Sequence, residues 1–99
     1  MENEIKKLFE ACIADYKRMG FRPEMEERYA EGLDYKIGKK YIKILSGGSA
    51  WGFINLANPN FKKGDILKAA SWNAPALNAP RGNVFEDYVV QWTGPLYLR

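Results

Sequence analysis

Residues 63–84 read KGDILKAASWNAPALNAPRGNV, and the fold turns on how that stretch is divided. It opens with a strand-like run at 66–70 and closes on a second one that starts at Val84. Between them, residues 71–83 carry two Ala-Pro pairs (Ala74-Pro75 and Ala79-Pro80), a Trp, three Asn, one Arg and one Gly. Proline fixes φ and removes a backbone donor, so this loop is stiff and cannot pair along its length in a sheet. Long connections in compact domains are either functional or disordered. The Pro, Ala and Trp content and the low charge set this one apart from a disordered linker. The expectation is an ordered surface loop that presents Trp72, Asn73, Asn78, Arg81 and Asn83.

Working outward, the segments before the loop are short, β-prone and joined by tight turns. A helical turn over 24–31 leads into a strand from about residue 29 to 37, and Gly38-Lys39 turns the chain. Strands follow at 41–45 and 50–56, joined by Ser46-Gly47-Gly48-Ser49, a strong hairpin signal. That tetrad could also cradle a phosphate with its backbone N–H groups. Asn58-Pro59-Asn60 marks the next turn, and the last strand is expected at 84–92, before Thr93-Gly94-Pro95 and a short tail at 96–99. No helix separates consecutive strands, so the sheet should be antiparallel.

The clearest element lies at the N-terminus. Ile5, Leu8, Phe9, Cys12, Ile13, Tyr16 and Met19 recur at helical spacing, predicting an amphipathic helix over 3–19. Asn3 can cap its start, and Gly20 can end it in a left-handed conformation. Ile5, Phe9, Ile13 and Tyr16 are the residues expected to be buried. The stripe should dock on the sheet, although a dimer seam is the other use of such a face and leaves a homo-oligomer open. The fold class is therefore α+β: one domain over 1–99, with an N-terminal helix packed on an antiparallel sheet or small β-barrel of about five strands within a β-rich region at 29–99.

The chain has no histidine and one cysteine, which excludes histidine-based catalysis, histidine metal sites and an internal disulfide. Cys12 lies on the apolar stripe and reads as a small buried hydrophobe. Glu26-Glu27 and Glu86-Asp87 read as solvated faces, since neighbours on a strand point to opposite sides. No phosphate-loop or dinucleotide fingerprint is present. The expectation is a protein without catalytic activity, metal or cofactor. No apolar run reaches membrane-spanning length, and the start of the sequence lacks a signal-peptide layout, so no membrane partner and a cytoplasmic location are expected.

Charge is unevenly spread. Residues 1–35 hold six basic and nine acidic side chains, whereas 36–68 hold seven lysines and a single aspartate. Such a field attracts anions, although lysine also protects sheet edges from aggregation. Lys39, Lys40, Lys43, Lys62, Lys63 and Lys68 would supply the field around the loop. Trp72 offers a face for base stacking, Arg81 a planar fork for phosphate or a base, and the asparagines base-edge donors and acceptors. The opposing reading has Trp72 plugging the barrel end and Arg81 pairing with a local acid. Trp51 and Phe53 share one face of a regular strand and read as core.

Residues 39–44 (KKYIKI), 63–76 (KGDILKAASWNAPA) and 81–84 (RGNV) together resemble a group of small uncharacterised proteins encoded by tailed bacteriophages. The likeness covers the chain from residue 39 onward and omits the acidic N-terminal helix. No established activity accompanies it, so it assigns no residue a role. It implies a phage-encoded protein acting in the bacterial cytoplasm, where small phage proteins bind nucleic acid, a host protein or a defence nucleotide. The partner expected is thus an anionic ligand, nucleotide or nucleic acid. The alternative is a protein-interaction module that inhibits a host protein or joins the virion, with the loop as an apolar anchor.

Overall fold

The computed structural model describes residues 1–95, so the tail at 96–99 lies outside the described residues. The elements run α1 (Glu2–Lys17), α2 (Pro23–Glu31), β1 (Leu33–Ile37), β2 (Tyr41–Ser46), β3 (Ser49–Asn55), β4 (Ile66–Lys68), β5 (Val90–Gln91) and β6 (Gly94–Pro95). Strands β1 to β4 form one antiparallel meander in chain order, and β5 and β6 form a separate two-stranded ribbon. The fold is α+β as expected, and the described residues form no closed barrel.

Helix α1 starts one residue before its predicted position. Met1 takes the cap site without a side-chain cap, and Ile5 N donates to Met1 O. Asn3 therefore sits inside the first turn. Gly20 adopts the left-handed conformation expected of it, at φ +74°. Pro23 opens α2 from the first helical turn, where a missing N–H costs nothing. The buried stripe of α1 is Ile5, Leu8, Cys12 and Tyr16. Phe9 and Ile13 are only half-buried. Phe9 packs against the core edge and the Tyr35 ring, at 6.3 Å between centroids.

The core joins Ile5, Leu8 and Cys12 of α1 to Ile42 and Ile44 of β2, Trp51 and Ile54 of β3, and Ile66 of β4, with Val84 and Val90 at its margin. One face of the sheet is thus covered by α1 and the β5–β6 ribbon, whose Pro95 seats against Gly52 of β3. The β2–β3 connection is the hairpin read from the sequence. Gly47 and Gly48 take φ +56° and +85°, both central positions of a type I′ turn.

Two expectations about strands are corrected. Trp51 and Phe53 do not share a face. The β2–β3 register slips between Ile44 and Leu45, opposite Trp51, and this bulge turns Trp51 into the core, where its Nε1 donates to Gln91 O. Phe53 stays in register with Lys43 on the other face. Nor does a strand run from 84 to 92. Asn83 Oδ1 accepts from Phe85 N and its carbonyl accepts from Glu86 N, so the chain turns at once, and within 84–92 only Val90–Gln91 pairs as a strand.

The 71–83 loop leaves and returns along the second edge of β4. Ala76 N donates to Lys68 O, Arg81 N to Ile66 O, Ile66 N to Gly82 O and Val84 N to Gly64 O. Its prolines prevent continuous pairing, but both ends are bonded to the sheet, which leaves the middle as a braced projection over the outer face.

Candidate functional site

Strand alternation places Tyr41 and Lys43 of β2 opposite the core-facing Ile42 and Ile44. Across the outer face, Lys36, Lys43, Phe53 and Leu67 stand in one register row. Phe53 and Leu67 are buried, and Tyr41 meets the Phe53 ring edge-on at 6.1 Å. The tyrosine is fixed from behind. Asn55, buried in β3, donates to the carbonyls of Asn58, Phe61 and Lys62 and accepts from Asn58 N. Asn58 Nδ2 in turn donates to the Tyr41 hydroxyl at 2.9 Å.

The loop reaches this face through Lys43. Its Nζ donates to Asn73 Oδ1 at 3.0 Å and lies 4.3 Å from the centroid of the Trp72 ring. Trp72 itself is 47% exposed, so it plugs no barrel end. Tyr41, Phe53, Lys43 and Asn73, with Lys36, Lys39 and Lys40 around the β1–β2 turn, enclose a basin of about 240 Å³. Lys36 and Lys43 are direct cross-strand neighbours of like charge, an arrangement that destabilises a sheet. Among the described residues, none of Lys36, Lys39, Lys40 and Lys43 forms a salt bridge.

The structure brings Asn73, Lys39, Lys40 and Lys43 together in the basin, joins Trp72 to them through Lys43 alone, and leaves the other candidates apart. Arg81 donates to Asn78 Oδ1 and to Ala79 O, both at 2.8 Å, so the pair braces the loop from within. Asn83 is buried. Its Nδ2 donates to Lys63 O and Asp65 Oδ1, tying the loop's end to the turn before β4. Lys68, one residue on from outward-facing Leu67, lines a small cleft beside Trp51 and Pro95 on the core-side face. Lys62 and Lys63 lie in the turn before β4, and neither lines the basin.

Lys36 and Tyr41 are basin residues that reading the loop alone does not single out. The signal for Tyr41 is its alternation with Ile42 and Ile44. Lys36 needs the β1–β2 register, which only the fold supplies. Away from the basin, burial pushes the Cys12 thiol up to about 12, so it is protonated at neutral pH and a poor nucleophile. Among the described residues no helix is long and apolar enough to cross a membrane. No known protein family, curated protein or solved structure matches the chain.

Proposed function

We propose that this protein binds a nucleotide or a nucleic-acid strand on the outer face of its sheet, without turning it over. Phosphates lie in the lysine basin, and a base stacks on the exposed part of Trp72. The observation that carries this reading is the Lys36–Lys43 pair: two like charges in direct register, beside an aromatic ring that one of them touches. An anion relieves that repulsion, and a base attached to the anion reaches the ring. The absence of histidine supports binding over catalysis. The likeness of the 63–76 block to tailed-phage proteins favours a phage protein acting in the host cytoplasm, and a defence nucleotide is one ligand of this chemistry.

A second reading, a protein-interaction module, draws on the exposed Trp72 and Leu77 of the loop, at 47% and 61%. Titrating ¹⁵N-labelled protein with ATP and with a short oligothymidylate separates the two. Shifts confined to the Trp72 indole and to residues 36–43 and 73 support the nucleotide reading. Unchanged spectra with both ligands overturn it in favour of a protein partner.

A further inference from the structure

A second cavity lies far in character from the lysine basin. It forms where α1, α2, the β2–β3 turn and the β5–β6 turn meet, and it holds about 250 Å³. Its walls are Tyr16, Tyr29, Trp92, Met25 and the bare backbone of Gly47, with Arg28 and the Ser46 hydroxyl as the polar groups. The aromatic wall is preset. Tyr16 and Tyr29 stack with centroids 4.4 Å apart and planes within 4°. Trp92 stands edge-on to both, at 5.1 and 6.0 Å. Tyr29 OH donates to Trp92 O, and Asp15 Oδ2 accepts from Trp92 N. Gly47 N donates to Gly32 O, which closes the turn against the end of α2.

Helix α2 is poorly served by its own packing, since none of its nine residues is buried. Its inner side chains Met25, Arg28 and Tyr29 border the cavity instead. Arg28 is exposed and forms no salt bridge among the described residues, although α2 also carries Glu24, Glu26, Glu27 and Glu31. Those carboxylates disfavour a small free anion, so ring burial has to supply affinity while Arg28 supplies selectivity. A cavity of about 150 Å³ already accepts benzene, so this one takes a one- or two-ring system with a short side arm.

We infer that this cavity is a binding site for a small planar aromatic carboxylate, its ring against Tyr29 and Trp92 and its carboxylate on the Arg28 guanidinium. The site is separate from the lysine basin and does not depend on the nucleotide reading.

Indole-3-acetate, its neutral amide indole-3-acetamide, and acetate are the probes, followed on ¹⁵N-labelled protein through the assigned Trp indole signals and through amide exchange in α2. Indole-3-acetate should shift the Trp92 signal saturably and slow exchange across residues 23–31. The amide should bind about tenfold more weakly, as loss of a charge-assisted hydrogen bond requires, and acetate alone should not bind. Arg28→Ala, at an exposed position, should keep the fold and bind acid and amide equally. A Trp92 signal unmoved by the acid, a response at Trp72 in its place, or acid binding unchanged in Arg28→Ala each overturns the assignment.

Discussion

Lys43 Nζ lies 4.3 Å from the centroid of the Trp72 ring and from the same place donates a hydrogen bond to Asn73. One side chain of β2 thus holds the start of the loop that follows β4. The contact joins a cation and an aromatic face, the two elements that recognise a phosphorylated base. Trp72 remains 47% exposed, which leaves room for a base to stack.

Removing that face should cost binding and spare the fold. Trp72→Ala should weaken nucleotide or oligonucleotide binding by about 1–3 kcal/mol, the range for one base–aromatic stack. Thermal unfolding should be nearly unchanged, because the ring is exposed and both loop ends are bonded to β4 through the backbone. Calorimetric titration beside a melting curve checks both halves.

Lys36 should show a conflict between stability and binding. It stands directly opposite Lys43, so Lys36→Gln should stabilise the free protein by about 0.5 kcal/mol at low salt. The gain should fade as salt screens the pair. The same substitution should weaken phosphate binding. Urea midpoints at two salt concentrations, read with the affinity, test the linkage.

Asn55 underlies the basin without touching it. It donates to three loop carbonyls and orders Asn58, which holds the Tyr41 hydroxyl. Asn55→Ala leaves these buried groups without a partner and should destabilise by about 1–3 kcal/mol. Asp at the same site keeps the acceptor for Asn58 N and loses the donors, so it should not rescue stability. Denaturant unfolding of the two variants decides.

Stability should fall in alkali. Burial raises the Cys12 thiol from an ordinary 9.0 to about 12, and burial also raises the Tyr29 hydroxyl. The folded state therefore keeps a proton that the unfolded chain releases. This contribution is present in full below about pH 9 and is lost as pH rises towards 12. Cys12→Ala should flatten the decline above pH 9. A decline of equal slope in both proteins assigns it to other groups.

The parts of this molecule that were legible in its sequence are those fixed by local rules. The apolar spacing from Ile5 to Tyr16 gave α1, and Gly47-Gly48 gave the hairpin, because each needs only its neighbours. Trp51 was misplaced because an alternating pattern cannot reveal an inserted residue, and one bulge reverses the face of everything before it. The strand expected from Val84 failed for a competing local reason, since Asn83 spends its side chain on the backbone of Phe85. The loop was recognised as ordered, but its division was not. Trp72 and Asn73 meet β2, whereas Asn78, Arg81 and Asn83 bond the loop to itself and to the turn before β4. The basin itself combines β1, β2, β3 and the loop, and no single stretch carries it.

The salt dependence of oligothymidylate binding, compared between the wild type and Lys43→Gln, tests the central claim most directly. If four lysines meet phosphates, log affinity should fall against log salt with a slope of about −2 to −3. Lys43→Gln should make that slope shallower by about 0.7, the share of one phosphate contact on a single strand. Binding that ignores salt, or a slope that Lys43→Gln leaves unchanged, would contradict the lysine basin as the phosphate site.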